Sequence, residues 1–342
     1  MRPFDYQQAQ GTAAALALAA QHLAPPGEER ILAPAQYLAG GTNLLDLMKI
    51  GVAHPPALIN ITALRQDHGR IETDASGLRL GALARMAEAA EHPAVLRDYP
   101  AIAQSLQLAA SQQLRNMATL GGNVLQRTRC NYFRDPSWQA CNKRVPGTGC
   151  AAMAGVNRRL AVLGVSEHCI AHYPGDFANV LAALGAEVEI LSSDGTARRI
   201  AFEELHRLPG DAPHIDTNLR PGELIISFRV PAGPWTRRSL YLKIRDRESY
   251  DFAQASAVVA LDLQDGVVRE ARVGLGGLVA KPWRSHEAEA ALRGRKLDQA
   301  SAQASADAAF QGAVTHGENA FKPELGRRTL VRALLQAAAM ET

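Results

Sequence analysis

Residues 38–46 read LAGGTNLLD, a pattern that predicts a short strand, a turn with two adjacent glycines and the start of a short helix. Adjacent glycines let the backbone approach a bulky anion because no Cβ stands in the way. The amides that open a helix favour phosphate, and Thr42 and Asn43 add side-chain donors. An ordinary turn with a Thr or Asn helix cap is the alternative for this stretch alone. The glycine spacing differs from G-x-G-x-x-G, so a Rossmann domain is not predicted.

A second loop of the same kind follows later in the chain. Residues 118–123 read ATLGGN, again a threonine, a glycine pair and an asparagine after a predicted helix. Two loops with backbone donors suit a ligand with two phosphates that lies between two subdomains. The pair of loops therefore favours a pyrophosphate-containing cofactor.

Hairpins and helices alternate along the rest of the chain without a regular rhythm. The dipeptide Asp194-Gly195 lies between two strand patterns and predicts a hairpin. A continuous helix is predicted over residues 101–115, and residues 232–234 (AGP) are the predicted linker. Because no series of βαβ units is visible, the pattern favours an α+β fold over a doubly wound sheet.

The composition narrows the class of protein. The chain has 342 residues, of which 47% are hydrophobic and 21% charged, with a formal net charge of +3. These values are typical of a soluble globular protein with two or three packed units. No Lys/Arg run suggests nucleic-acid binding, and no apolar stretch approaches the roughly 20 residues of a membrane span. Residues 12–20 (TAAALALAA) are interpreted as a surface helix, since a signal peptide would have a basic flank before them.

All four cysteines of the chain lie in one segment, at positions 130, 141, 150 and 169. Four thiolates are the ligand set of a [4Fe–4S] cluster or of a structural zinc ion. Zinc sites usually contain close C-x₂₋₄-C pairs, and this spacing has none. Disulfides are disfavoured because no signal peptide is predicted. The segment therefore predicts a metal centre, with the cluster preferred and zinc as the alternative.

The order and spacing of these segments resemble the FAD-binding medium subunits of the molybdenum hydroxylases, the family of xanthine dehydrogenase and carbon monoxide dehydrogenase. The resemblance runs from MRPFDY and LAGGTNLLDLMK through ATLGGNV, PGDFANVLAALGAEVEI and YLKIRDRESYDFAQASAVVAL to VGLGGLVAKPWRS. It implies a two-subdomain FAD-binding fold of the PCMH type, followed by a C-terminal α+β domain. The implied boundaries are residues 1–60 and 61–231 for the two subdomains and residues 235–342 for the C-terminal domain.

The resemblance also implies which residues bind FAD. The first loop would wrap the pyrophosphate and the second loop would complete the site. Asp176 matches an acidic residue that contacts the flavin or its ribityl region, and Lys243 matches a lysine near the flavin. Without the resemblance, Asp176 is interpreted as a helix cap and Lys243 as a solvated lysine. The implied loop residues are Ala39, Gly40, Gly41, Thr42, Asn43 and Leu44, with Ala118, Thr119, Gly121, Gly122 and Asn123.

An insertion at about residues 124–173 separates this chain from the plain family pattern. It is similar to the insertion in flavin subunits of periplasmic aldehyde oxidoreductases and of 4-hydroxybenzoyl-CoA reductase, which implies a [4Fe–4S] cluster. The cysteine spacing favours the aldehyde oxidoreductase type. The implied ligands are Cys130, Cys141, Cys150 and Cys169, and the basic residues expected to offset the cluster charge are Arg127, Arg129, Arg134, Lys143 and Arg144.

The resemblance implies a FAD and [4Fe–4S] subunit of a heterotrimeric, molybdenum-dependent aldehyde oxidoreductase. A large partner would carry molybdopterin and a small partner two [2Fe–2S] clusters, from which electrons would pass through FAD to an external acceptor. No substrate chemistry is expected on this chain. Two alternatives are a stand-alone flavin oxidase and a non-catalytic scaffold clipped by zinc. The expected location is cytoplasmic by default, or periplasmic by export together with a partner that carries the signal.

Overall fold

The computed structural model describes residues 1–23 and 34–341. Its first five elements are β1 (Asp5–Gln8), α1 (Thr12–Ala20), β2 (Ala35–Leu38), α2 (Leu44–Lys49) and β3 (Ala57–Asn60). The three strands form a parallel sheet in the order β1–β3–β2. The central strand β3 is buried over its first three residues, as expected for a parallel strand that is covered on both faces.

The middle of the chain forms an antiparallel sheet with covering helices. Its strands are β4 (Ile71–Asp74), β5 (Gly77–Gly81), β6 (Glu187–Leu191), β7 (Ala197–Ala201) and β8 (Leu224–Pro231), in the order β4–β5–β8–β6–β7. Its helices are α3 (Arg65–His68), α4 (Met86–Glu91), α5 (Pro93–Asp98), α6 (Pro100–Gln107), α7 (Gln112–Arg115), α8 (Leu120–Val124), α9 (Asn131–Arg134) and α10 (Asp176–Ala183). Every residue of α10 is buried. Phe177 of α10 packs edge-on against Phe228 of β8, which fixes the helix on the sheet.

The helix predicted over residues 101–115 is wrong as a single element. It is interrupted at residues 108–111, between α6 and α7, where Ala110 adopts a positive φ of 51°. The carbonyl oxygen of Leu108 accepts a hydrogen bond from Lys243 Nζ at 3.1 Å. A partner far along the chain thus satisfies a carbonyl that a continuous helix would have used, so no local pattern predicts the break.

The end of the chain forms a second antiparallel sheet, in the order β12–β11–β10–β9. Its elements are β9 (Ser239–Ile244), β10 (Ala255–Gln264), β11 (Val267–Gly276), β12 (Trp283–Arg284), α11 (His286–Leu292), α12 (Gln299–Ala309) and α13 (Lys322–Ala338). Successive residues of β10 face opposite sides. Val258 joins the core of the middle unit, and Val259 joins the core under the C-terminal helices. This sheet is therefore packed on both faces.

The α+β prediction is confirmed by these three sheets. Their strands come from residues 5–60, 71–231 and 239–284, while the domain boundaries given above stay predictions. In the described part of the chain, no helix is both long and apolar enough to cross a membrane.

The cysteine segment between α8 and α10 contains turns and the short helix α9, and it packs against the first subdomain. Its buried side chains share an apolar cluster with Leu47 and Met48 of α2. Arg129 and Arg134 both contact Asp46 of α2, at 3.1 Å and 2.8 Å. The hydrogen bond from Arg134 lowers the pKa of Asp46 below its ordinary value. These two arginines therefore fasten the segment to α2.

A fully buried ammonium group joins the cysteine segment to the C-terminal unit. Lys322 of α13 donates from Nζ to the carbonyl oxygens of Arg159, Leu160 and Gly277, at 3.0, 3.0 and 2.7 Å. Three acceptors match the three hydrogens of an ammonium group. Burial lowers the pKa of Lys322 to about 7.

The variant Lys322→Met leaves three carbonyl groups without their donor. We expect it to lower the free energy of unfolding at pH 7 by about 3–5 kcal/mol, because each unsatisfied buried group costs about 1–3 kcal/mol and the costs are not fully additive. Urea unfolding followed by circular dichroism measures the change. The exposed Lys49→Met variant is the control, and equal stability of the two variants would contradict the role given to Lys322.

Glu189 of β6 accepts hydrogen bonds from Ser227, Arg199 and Arg229, the last at 2.7 Å from Nε. Burial raises its pKa, but these donors outweigh burial and set it at about 2. Because the folded pKa is lower than the ordinary value of 4.5, the stabilisation is complete above pH 4.5. It is lost as the pH falls from 4.5 towards 2.

We therefore expect Glu189→Gln to lose about 2 kcal/mol of unfolding free energy at pH 7 and little at pH 2. Unfolding measured at pH 7, 4 and 2.5 gives the profile, with Glu187→Gln, a half-exposed neighbour, as the control. If the unfolding free energies of Glu189→Gln and of the wild type changed in parallel with pH, the loss of stability in acid would not come from the contacts of Glu189.

Candidate functional site

A cleft runs along the first glycine loop. Its wall consists of residues 35–44, of residues from α8 and the start of the cysteine segment, and of residues 214–223 from the connection before β8. All six residues predicted in the first loop line this cleft. The structure therefore places the whole first loop at one cavity, where it can contact a bound ligand.

Gly40 brings the two glycine loops together. A Cβ at this position would lie 2.1 Å from the carbonyl oxygen of Met117, next to the second loop. Gly41 has a φ of 71°, a conformation that favours glycine. The carbonyl oxygen of Gly41 accepts a hydrogen bond from Leu45 at the start of α2. The glycine pair thus serves both the close approach of two backbone segments and the entry to a helix.

The second loop forms the first turn of α8. Thr119 is the helix cap, and its Oγ1 accepts a hydrogen bond from the amide of Gly122 at 3.2 Å. The amide of Gly121 donates to the carbonyl oxygen of Ala82 at 2.8 Å. Because that bond is internal, Gly121 holds the loop on the middle unit and its amide is not available to a ligand.

Two of the five residues predicted in the second loop, Thr119 and Gly122, line the cleft. The other three residues do not. The carbonyl oxygen of Ala118 accepts a hydrogen bond from the amide of Met86, and Asn123 Nδ2 contacts Met86 Sδ at 3.4 Å. The second loop therefore contributes fewer cleft residues than the sequence predicts, because half of it anchors α8 to α4.

Asp176 and Lys243 are brought together, but they do not line the cleft. Lys243 Nζ lies 2.7 Å from Asp176 Oδ2, and Tyr241 OH donates to Asp176 Oδ1 at 2.5 Å. The side chains of the ion pair are 1% and 5% exposed. Burial, followed by the charge of Asp176, raises the pKa of Tyr241 well above its ordinary value. The pair connects α10 to β9, and its contact with the flavin stays a prediction.

Sequence reasoning missed several residues of the cleft wall. Tyr37 OH donates to the carbonyl oxygen of Gly222 at 2.8 Å, and this bond connects two walls of the cleft. Arg127 and Asp216 also line the cleft and form an ion pair at 2.6 Å. These partners are far apart in the sequence and belong to no motif, so no local signal could have indicated them.

The four cysteines are free thiols that line one small cavity. Three of them are buried, and Cys150 is partly exposed. Burial raises the pKa of Cys130 to about 12 and that of Cys169 to about 11. Cys141 and Cys150 face each other across a short antiparallel backbone bridge. The fold thus directs four sulfur ligands, two of them adjacent on paired backbone, into one apolar site.

The four thiols line one cavity, but the described residues contain no ready-made site for a metal ion. Within residues 1–23 and 34–341, no group of three or more His, Cys, Asp or Glu side chains is placed to hold a single metal ion. The structure therefore contains no preformed metal site, and the predicted cluster is not established by it.

The role predicted for the five basic residues, to offset the charge of a cluster, stays a prediction. Of the five, only Lys143 lines the cysteine cavity. Arg129 and Arg134 contact Asp46, as described above, and Arg144 donates to the carbonyl oxygens of Tyr132 and Phe133. Arg127 lies at the cleft instead. These guanidinium groups hold the segment together, because its turns leave carbonyl oxygens that need donors.

Comparison with known proteins identifies the family. Residues 2–233 match the family described as "FAD binding domain in molybdopterin dehydrogenase", and residues 240–338 match "CO dehydrogenase flavoprotein C-terminal domain". The chain belongs to the FAD-binding medium subunits of the molybdenum hydroxylases. It is 45% identical, over 99% of both chains, to the aldehyde oxidoreductase FAD-binding subunit PaoB of Escherichia coli. It is 26% identical to the carbon monoxide dehydrogenase medium chain of Afipia carboxidovorans, over 86% of this chain and 82% of that one.

The solved structures agree on the fold of this medium subunit. A carbon monoxide dehydrogenase from Hydrogenophaga pseudoflava superimposes with a TM-score of 0.74 at 24% identity, over 98% of this chain and 97% of that one. The family matches and the relative at 45% identity show that the chain is a FAD-dependent oxidoreductase subunit, with a FAD-binding domain followed by a C-terminal domain, as the sequence predicts.

The residues of the cleft fit a dinucleotide with a pyrophosphate. Gly40 and Gly41 both line the cleft, and Gly40 allows the first loop to approach the backbone of Met117. Asn43 Nδ2 and Arg127 Nη2 are buried donors without a hydrogen-bond partner among the described residues. Buried donors of this kind are costly unless a ligand accepts from them, and a guanidinium group suits a phosphate oxygen. The donor set of the cleft is therefore that of an anion-binding site.

Proposed function

We propose that this chain is the FAD and [4Fe–4S] subunit of a heterotrimeric, molybdenum-dependent aldehyde oxidoreductase. The observation that carries the proposal is the convergence of Cys130, Cys141, Cys150 and Cys169 on one cavity beside a FAD-binding cleft. The similarity to the Escherichia coli aldehyde oxidoreductase subunit over nearly the whole chain supports aldehydes as the substrate class.

The role of the chain is to hold FAD between its partners and an external electron acceptor. Bound FAD would supply a two-electron carrier that also exchanges single electrons with iron–sulfur clusters. The first glycine loop would bind the pyrophosphate, and Thr119 and Gly122 would complete the wall. Substrate oxidation would take place on a large partner with molybdopterin, and a small partner with two [2Fe–2S] clusters would deliver the electrons.

The cysteine cavity favours a [4Fe–4S] cluster over zinc. Four thiols are the ligand set of such a cluster, and their sequence spacing lacks the close C-x₂₋₄-C pairs of zinc sites. His168 also lines the cavity, but four cysteines leave no ligand position for it. Lys143 lies at the cavity wall, where a positive charge would offset part of the charge of a tetrathiolate cluster and raise its reduction potential. Lys143 is thus the residue whose charge would raise the reduction potential of the cluster.

We propose a cytoplasmic location for the chain. Export to the periplasm together with a partner subunit is the alternative. Co-export follows from the similarity to aldehyde oxidoreductases of that compartment, and fractionation of the source cells decides between the two.

The test of the function is purification of the chain from its source under anaerobic conditions. The proposal expects a large and a small subunit to copurify, and it expects an aldehyde to bleach the flavin absorbance at about one flavin per complex. A chain that purifies alone and oxidises a small substrate directly would instead support the stand-alone flavin oxidase.

A further inference from the structure

One carboxylate joins the dinucleotide cleft to the cysteine cavity. Asp216, on the connection between β7 and β8, lies 2.6 Å from Arg127 Nε and 2.5 Å from Lys143 Nζ. The two cations have side chains that are 16% and 11% exposed, so water competes little for them. Both come from the cysteine segment, whereas Asp216 belongs to the middle unit. The carboxylate is therefore a contact between two parts of the fold.

Arg127 is the cation on the cleft side of this contact. It lines the cleft, and its backbone amide donates to Oδ1 of Asn43, a residue of the first glycine loop. Its guanidinium group stacks over the ring of Phe133 at 5.1 Å, which fixes the plane of the group. Nη2 is buried and has no hydrogen-bond partner among the described residues. Asp216 thus holds the guanidinium group by an ion pair at Nε, and Nη2 is left for a ligand.

Lys143 is the cation on the cysteine side. It lines the cavity of the four thiols, and its Nζ also donates to the carbonyl oxygen of Pro213 at 2.7 Å. The ammonium group is therefore held by two acceptors from residues 213–216, the same connection that forms a wall of the cleft. A shift of this connection moves the walls of both sites together.

The charges of the three groups do not cancel. Two cations and one carboxylate leave a net charge of +1. Burial raises the pKa of Asp216, but the two cations outweigh burial, and the pKa lies below its ordinary value. The carboxylate is ionised at neutral pH, so the cluster keeps its net positive charge next to a cleft that binds a pyrophosphate.

We propose that Asp216 is a positioning residue that directs Arg127 towards an anionic oxygen of FAD and, through Lys143, fixes the wall of the cysteine cavity. Arg127 is then a FAD-binding residue outside both glycine loops. The Lys143 half of the proposal rests on the proposed [4Fe–4S] function, whereas the Arg127 half rests on FAD binding alone. One carboxylate fixes a side chain at each of the two cofactor sites, and the two sites are therefore coupled.

The test uses the full chain with the variants Arg127→Gln, Lys143→Gln, Asp216→Asn and Asp216→Glu. The matched control is Arg284→Gln, because Arg284 is equally buried and its Nε lies 2.7 Å from Glu289, away from the cleft. The two readouts are the dissociation constant of FAD, measured by flavin fluorescence on flavin-free chain, and the iron content per chain. The melting temperature is recorded for every variant so that loss of folding is recognised.

The proposal expects Arg127→Gln to raise the FAD dissociation constant by about 10- to 100-fold and to leave the iron content unchanged. Lys143→Gln should lower the iron content and leave the FAD constant within about 2-fold of the wild type. Asp216→Asn should change both readouts, and Asp216→Glu should restore most of both. In a chain that already carries Arg127→Gln, Asp216→Asn should not raise the FAD dissociation constant further, because Asp216 acts through Arg127.

If Arg127→Gln and Arg284→Gln had the same FAD dissociation constant, the binding role of Arg127 would be overturned. A folded Asp216→Asn chain with wild-type FAD affinity would overturn the positioning role of Asp216. A wild-type chain without iron would overturn the proposed cluster and with it the Lys143 half. The FAD constants would still decide the Arg127 half, so the two failures are distinguishable.

Discussion

The variant Gly40→Ala is expected to purify without flavin and to bind FAD at least about 100-fold more weakly than the wild type. Its Cβ would lie 2.1 Å from the oxygen and 2.8 Å from the carbon of the Met117 carbonyl group. Both atoms belong to the backbone, so no side-chain rotation can relieve the clash. The first glycine loop would have to move away from the second, and the cleft between them would lose its shape.

Flavin absorbance per chain and titration with FAD measure this effect. Gly312→Ala is the matched control, because a Cβ at Gly312 meets nothing within 4 Å and its φ is not positive. Gly41, with a φ of 71° and a nearest contact of 2.9 Å to a side chain, should tolerate alanine less well than Gly122. Stoichiometric flavin of normal affinity in Gly40→Ala would show that the two loops do not form the FAD site.

The variant Cys141→Ser is expected to lower the iron content from about four atoms per chain to near zero, because a serine hydroxyl is a poor substitute for a thiolate ligand. The four cysteines line their own cavity and none of them lines the cleft, so the flavin content should stay close to one FAD per chain. Iron analysis and the flavin spectrum of the anaerobically prepared variant give both numbers.

Ser137→Ala is the control for this variant, since Ser137 lies exposed in the same segment without lining the cavity. Full iron in Cys141→Ser would remove Cys141 from the ligand set. One equivalent of zinc in the wild type, lost in the variant, would replace the cluster by the zinc alternative.

Local patterns predicted most of the fold. The hairpin at Asp194-Gly195 and the parallel strand β3 depend on turn residues and on runs of apolar side chains, which are visible in any single stretch. The break between α6 and α7 was missed because its cause is not local. A side chain of β9, Lys243, binds the carbonyl oxygen of Leu108, and only the folded chain brings the two together.

The candidate site was predictable to a smaller extent. The first loop is continuous in sequence, and all six of its predicted residues line the cleft, while their contact with FAD stays a prediction. Arg127 and Asp216 are brought together only by tertiary structure. The basic residues of the cysteine segment were expected to offset the charge of a cluster. In the fold, most of them bind carbonyl oxygens or Asp46, because a segment with few strands needs such donors.

An anaerobic count of iron and flavin on the purified wild-type chain, with absorption spectra before and after dithionite, shows whether the chain holds both cofactors. We expect one FAD and about four irons per chain, with bleaching of both the flavin and a broad iron–sulfur absorbance. One FAD without iron, with the four cysteines oxidised or bound to zinc, would contradict this expectation. The chain would then be a flavin subunit whose cysteine segment is a structural clip.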